Sequence, residues 1–224
     1  MCYYVGIEDD IEAIEIRYGV TYHQPQYWDT KPPKPSKFVN GFSHPGMLMI
    51  TNKRPDIVTV GEWGLVPDWA KDTEAFRKKA NTLNAMVETL EEKPSFRNSV
   101  QNRCLVLVNA FYEYKWMDEK GKVKVAHRIT LNGHKIFSIA GIYSRFSDPV
   151  SGQPLGSFSL ITTQANTLMA DIHNSKKRMP IVLHPDEEKL WLNGDALSHF
   201  ADRTELDLFA EPTENYLRRT TDAA

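Results

Sequence analysis

The chain has 224 residues, 41% hydrophobic and 25% charged, which suits one globular domain, or at most two small ones, and a core that needs no staples. A formal net charge of −2 gives no general electrostatic grip on nucleic acid, so any such binding needs a local basic groove. Two cysteines, Cys2 and Cys104, are too few for a disulfide framework or a Cys-rich zinc site and suit a reducing, cytoplasmic setting, and nothing reads as a signal peptide or as the roughly 20 apolar residues of a membrane span.

The chain opens Met1-Cys2. Methionine aminopeptidase removes Met before a small residue, so the mature chain is expected to begin at Cys2. That pairs an α-amine of ordinary pKa about 7.7–8.0 with a thiol near 8.5. The amine can act as base for its own thiol, and the two together can close a five-membered ring on an aldehyde.

Residues 11–18 (IEAIEIRY) put Ile11, Ile14 and Tyr18 on one face and read as a short amphipathic helix. Residues 24–46 carry Pro25, Pro32, Pro33 and Pro35 among aromatics and read as an irregular ordered loop. Strands are expected at residues 47–51 and 57–60, around a turn at 52–56. Trp63, Gly64, Pro67 and Trp69 then make a stiff aromatic loop, either a plug over the core or a stacking surface for a base. Residues 72–79 are charged, a solvated helix face or a linker.

Residues 103–114 (RCLVLVNAFYEY) are the strongest strand signal, and their apolar run, residues 104–108, suits a strand buried on both faces. Cys104 inside that run reads as a buried structural thiol. Glu113 stands at the aromatic end of the run, where burial would raise its pKa toward a general acid–base range. Strands are expected near 123–130 and 136–143, around Asn132-Gly133, and again at 158–163. The last runs into a short helix ending at His173. Residues 181–183 begin a further strand, Pro185 opens a helix with acids in its first turn, and a second short helix is expected around 204–209 before a polar tail. Many strands with few regular strand–helix–strand units argue for an α+β fold with a curved, largely antiparallel, barrel-like sheet. His23, His44, His127, His134, His184 and His199 show no metal-ligand spacing.

Several of these stretches occur together in a recognisable order. They are Met1-Cys2, Trp63-Gly64-Leu65-Val66-Pro67-Asp68-Trp69, Asn84-Ala85-Met86, Phe96-Arg97, Phe111-Tyr112-Glu113-Tyr114, Ala140-Gly141-Ile142, Ile161-Thr162-Thr163-Gln164-Ala165-Asn166, and Ile172-His173 with Arg178-Met179-Pro180. The series resembles the SRAP (SOS response-associated peptidase) family over residues 1 to about 194. The resemblance implies a single SRAP domain, residues 1–224, with the last 30 or so residues forming a C-terminal helix and tail. It implies abasic-site sensing: single-stranded DNA in a groove, and a covalent thiazolidine between Cys2 and the ring-opened sugar aldehyde after self-removal of Met1. It carries proton transfer over to Glu113 and His173, and the holding of the sugar or the Cys backbone to Asn84. An aromatic wedge at the groove edge falls on Trp69, and Arg97 is a candidate phosphate contact. No cofactor, metal or membrane is implied, and a monomer is expected.

Four departures bear on DNA binding. Tyr3 and Tyr4 stand where the family has Gly-Arg, with Tyr offering a ring to stack on a base. Met86 replaces an Arg, Tyr114 a Trp, and the spacing from His173 to Arg178 is stretched by three residues that include Lys176 and Lys177. Two other readings remain at this point. One is an N-terminal-nucleophile amidohydrolase starting at Cys2, which needs neither Glu113 nor His173. The other is a DNA-binding module that has lost the crosslink.

Overall fold

The most apolar run of the chain forms two strands, not one, and the break between them organises the fold. A computed structural model describes residues 1–24, 33–147 and 154–214. The first half carries β1 (Tyr4–Ile7), α1 (Ile11–Tyr18), β2 (Thr21–Tyr22), β3 (Ser36–Asn40), β4 (Gly46–Thr51), β5 (Arg54–Trp63), α2 (Thr73–Lys79), β6 (Asn84–Met86) and β7 (Arg103–Val108). The second carries β8 (Ala110–Trp116), β9 (Lys124–Leu131), β10 (Phe137–Ser147), β11 (Pro154–Gln164), α3 (Thr167–Ile172), β12 (Arg178–Pro180), β13 (Val182–Leu183), α4 (Pro185–Asn193), α5 (Leu197–Ala201) and β14 (Leu208–Thr213).

The strands fall into two sheets. The larger runs β12-β11-β10-β7-β4-β5-β2, and a parallel pairing of β11 with β5 (Ser157 opposite Glu62) closes β5-β4-β7-β10-β11 into a ring. The smaller runs β14-β9-β8-β1-β3. All other pairings within the ring are antiparallel. This is the expected α+β class with a barrel-like sheet.

Every residue of β7 is buried, and its alternate faces enter different cores. Cys104, Val106 and Val108 pack in one cluster with Cys2, Val5, Phe111 and Phe158. Leu105 and Leu107 pack in the other, under α1, α4 and α5, with Ile14, Trp191 and Phe200. Trp191 is completely buried and donates its indole N–H to the Cys104 carbonyl at 3.0 Å. α1 forms as its pattern indicates, with the Asp10 side chain capping its start and Gly19 ending it at φ 64°.

Several expectations are corrected. Residues 36–40 of the supposed loop form β3, paired with β1, because Ser36–Asn40 lie beside an otherwise open strand edge; residues 25–32 lie outside the described residues. The turn at 52–56 is tighter, since β5 starts at Arg54. Asn132-Gly133 does link two strands, but β9 and β10 belong to different sheets and do not pair as a hairpin. The helix expected around 204–209 is α5 at Leu197–Ala201, and Leu208–Thr213 is instead an edge strand paired with β9. The tail beyond 214 lies outside the described residues.

Asn109 makes the corner between β7 and β8. Its backbone N–H donates to the Gly6 carbonyl at 2.8 Å. Its side-chain oxygen accepts from the N–H groups of Glu8 (2.6 Å) and Asp9 (3.3 Å), while Nδ2 donates to the Asp9 carboxylate (2.5 Å) and the Lys135 carbonyl (2.8 Å). One side chain thus satisfies groups from two distant segments at the point where the chain changes sheets. Asn109→Ala strands several of them in the interior, and a loss of about 3 kcal/mol is expected. Urea unfolding of the variant against wild type measures it.

Candidate active site

The smaller sheet delivers a carboxylate to the core. β8 alternates faces, so Glu113 shares the inward side of Phe111, while Tyr112 faces the other way. Glu113 lies in the middle of its strand, not at its mouth, and is 7% exposed. β1 lies between β3 and β8, with Tyr4 opposite Tyr112. That pairing aims the N-terminus of the chain at Glu113.

Four residues named from sequence converge there. The Met1 ammonium lies 3.4 Å from Glu113 Oε1 and 3.1 Å from His173 Nε2. Glu113 Oε2 and His173 Nε2 are 4.0 Å apart. Asn84 donates from Nδ2 to the Cys2 carbonyl at 2.8 Å. It is held by β6, which pairs in parallel with β11 through Asn84 and Leu160. The Cys2 thiol is fully buried and makes a long contact of 3.6 Å to the Tyr4 carbonyl.

His173 caps the C-terminus of α3, a helix started by the Asn166 side chain accepting from Met169 N–H. Its Nδ1 is 2.7 Å from the Arg178 carbonyl. A carbonyl only accepts, so Nδ1 carries the proton and Nε2 turns its lone pair toward the terminus. The extra residues before Arg178 close as a turn, with Lys177 left-handed at φ 50° and its N–H donating to the His173 carbonyl at 2.8 Å. Arg178 itself turns inward, bidentate to Glu88 at 2.7 and 2.9 Å.

Burial pushes the Glu113 carboxyl up to about 7 despite the opposing pull of the terminal ammonium. Burial, then the same ammonium, push His173 down to about 4. Burial, then the Glu113 charge, also raise the Cys2 thiol, so it stays protonated while Met1 is in place. An acid held partly protonated thus faces a base held neutral, the arrangement in which two groups take opposite proton-transfer roles. Among the described residues Asn84 Oδ1 is buried without a hydrogen-bond partner, and Glu113 Oε1 meets only the Met1 ammonium at 3.4 Å, which leaves acceptor capacity in the site.

The two groove candidates lie outside this cluster. Trp69 is half exposed, packs edge-on against Phe76 and donates to the Pro94 carbonyl at 3.3 Å. Arg97 is exposed on a 3-10 turn, Arg97–Ser99, which Asn98 ties to Asp68 at 3.4 Å. Among the described residues, no hydrogen bond or ion pair joins either to Cys2, Asn84, Glu113 or His173. Trp63, by contrast, is the plug: it is fully buried and donates to the Leu83 carbonyl at 2.8 Å. Sequence reasoning missed Asn174, whose side-chain amide pairs with both backbone groups of Trp116, at 3.1 and 2.9 Å. With Lys115 on Asp171 at 2.6 Å, it clamps the end of α3 to the strand that carries Glu113. An Asn just after a helix-ending His is the one signal that pointed there. No helix of the described residues is long and apolar enough to cross a membrane.

A ring-closed sheet with a carboxylate and an imidazole gathered round the N-terminus defines a class, and comparison with known proteins gives the family. A family model described as SOS response associated peptidase (SRAP) matches residues 1–219. The chain belongs to that family. It is 45% identical over 132 residues to the abasic site processing protein YoqW of Bacillus subtilis, covering 58% of this chain and 55% of that protein. It is 28% identical over 152 residues to the abasic site processing protein HMCES of Gallus gallus, covering 58% and 44%. The matched stretch thus spans about half the length of these relatives. A crystal structure of a protein from Bacteroides thetaiotaomicron superposes with a TM-score of 0.83 at 32% identity, covering 97% of this chain and 94% of that one. One from Bordetella bronchiseptica superposes at 0.77 with 22% identity, which speaks to the fold alone.

The shifted carboxyl fixes a pH dependence. Between 4.5 and about 7 the folded chain holds a proton on Glu113 that the unfolded chain releases, so this residue lowers stability as pH rises through that window. His173 works in the opposite direction between about 4 and 6.5, where the unfolded chain binds the extra proton. Glu113→Gln removes only the first effect. The variant is expected to gain on wild type from pH 4.5 to 7 and then level off, by on the order of 3 kcal/mol. Thermal unfolding across that range measures it, and a variant that loses ground as pH rises would mean that Glu113 is ionised and held by the terminus.

Proposed function

We propose that this protein senses abasic sites in single-stranded DNA and captures them covalently through Cys2 once Met1 is removed. The observation that carries the proposal is the N-terminal amine seated between Glu113 and His173. In the intact chain that amine belongs to Met1, and the Cys2 nitrogen is an amide. After removal of Met1, the Cys2 amine and thiol form a 1,2-aminothiol next to the same two side chains.

Valence then explains why one site serves two reactions. The carbon bonded to the Cys2 nitrogen is the Met1 carbonyl carbon before processing and the sugar C1′ after capture. In processing, the Cys2 sulfur adds to the Met1 carbonyl and closes a five-membered ring. The C–N bond then breaks to a thioester and a free amine, and water releases Met and restores the thiol. In capture, the amine adds to the C1′ aldehyde and the carbinolamine loses water to an imine. The sulfur then adds to the imine carbon and closes the thiazolidine, with the thiol proton passing to nitrogen.

Each step moves a proton at the place where Glu113 and His173 meet the terminus. Glu113, near neutrality in pKa, gives a proton to the departing hydroxyl. His173 presents a neutral Nε2 to take one from the attacking amine or thiol. Asn84 fixes the Cys2 carbonyl and so the direction of the nucleophile. Trp69 and Arg97 are assigned to the DNA groove, as an aromatic edge and a phosphate contact. Glu113 and His173 on the terminus favour the crosslinking and peptidase reading over an amidohydrolase.

The test is intact-mass spectrometry after incubation with single-stranded DNA containing one abasic site. Protein lacking Met1 is expected to gain the mass of the oligonucleotide less one water, and Cys2→Ala is expected to gain nothing. Glu113→Gln and His173→Gln are each expected to slow the gain by roughly 100-fold or more. Processed wild-type protein that never gains the mass would refute covalent capture.

A further inference from the structure

The approach to the terminus is walled by rings. The Tyr3 carbonyl accepts from Gly41 N–H at 2.8 Å, which ties the 3-10 turn Gly41–Ser43 to the backbone beside Cys2. That turn is held from several sides. Asn40 Oδ1 accepts from Phe42 N–H at 3.0 Å, and Ser43 Oγ donates to the Asn40 carbonyl at 2.7 Å. His44 ends the turn left-handed, at φ 50°, with Nδ1 2.7 Å from the Trp63 carbonyl.

What this turn holds out is Phe42, 53% exposed. Its ring centre lies 4.7 Å from that of Tyr3, tilted by 31°, and 6.5 Å from Tyr4, edge-on. Met86 is 39% exposed, on the face of β6 that Asn84 shares. A ring half exposed beside the terminus and braced by Tyr3 keeps a face open to water and loses little side-chain entropy when a flat partner arrives.

We propose that Tyr3 and Phe42 form a stacking shelf for the nucleobase next to the abasic residue. This rests on the function proposed above. Loss of a base leaves its neighbour with one π-face unstacked, and the shelf supplies the missing partner as the sugar reaches Cys2. Stacking of this kind is tolerant of sequence, strongest for purines and independent of counterion release, which suits a chain of net charge −2.

The test uses processed protein and single-stranded DNA carrying a tetrahydrofuran abasic analogue, which has no aldehyde and so separates binding from crosslinking. Fluorescence anisotropy compares an oligonucleotide whose abasic residue is flanked by adenines with one flanked by further analogues. Wild type is expected to prefer adenine. Phe42→Ala is expected to bind about tenfold more weakly and to lose that preference, while Phe42→Trp keeps both. An unchanged melting temperature checks that the exposed site leaves the fold intact. If wild type binds and both Phe42→Ala and Tyr3→Ala match it in affinity and preference, the shelf alone is overturned. If wild type binds neither oligonucleotide, the sensing function falls and the shelf with it.

Discussion

A carboxylate on the core face of a strand needs a cation, and here the chain's own terminus supplies one. β8 must turn Glu113 inward because Phe111, two residues earlier, anchors that face in the core. β1 must bring the terminus to it, because its register sets Tyr4 opposite Tyr112. The contact is therefore set by strand pairing and not by flexible side chains. Burial of Glu113 and of His173 beside it strains the arrangement, with the carboxyl pushed toward protonation and the imidazole away from it. Such tension is costly in a structural ion pair and useful where protons must move.

The closed ring of strands explains how so small a site is held. β11 carries one wall: it pairs with β6, which presents Asn84, and with β12, whose Arg178 carbonyl fixes His173. The smaller sheet carries the other wall, with Glu113 and the terminus. Asn109 joins the two where β7 becomes β8, and the Asn174 and Lys115 contacts join them again at the far end of β8. Asn84 and Glu113 thus sit within paired strands, His173 on a helix end tied to β12, and Cys2 is held by Asn84, which is the positioning pre-organised chemistry requires.

Much of this was legible in the sequence, and the reasons differ by element. α1 and α4 follow from local signals: Asp10 before an amphipathic run, and Pro185 with three acids in the first turn. The strength of residues 103–114 as strand was also plain, but not its division, because Asn109 breaks it through contacts with Glu8, Asp9 and Lys135 that are distant in sequence. β3 and β14 were hidden for the same reason: neither alternates clearly, and each exists because a neighbouring edge needs a partner. Cys2, Asn84, Glu113 and His173 were found through the ordered resemblance, which encodes their convergence without giving the geometry. Phe42 carried no such signal; its position depends on how Asn40 caps a turn.

The stretched spacing between His173 and Arg178 shows how a departure from the family's pattern can leave the geometry of the site in place. What His173 needs from that segment is a carbonyl at Nδ1, and any residue supplies one. The inserted residues close a turn in which Lys177 takes a left-handed conformation and returns its N–H to the His173 carbonyl. That loop lifts Lys176 and Lys177 into solvent and leaves the Arg178 carbonyl in place. The insertion therefore changes the charge at the rim, where Lys176 adds to the push on His173, and leaves the tautomer at the centre alone. Of the substitutions, Tyr3 stacks beside Phe42, Tyr4 packs on the other face of the sheet with Phe38 and Tyr112, and Met86 is partly exposed, while Glu113 and His173 hold the Met1 amine.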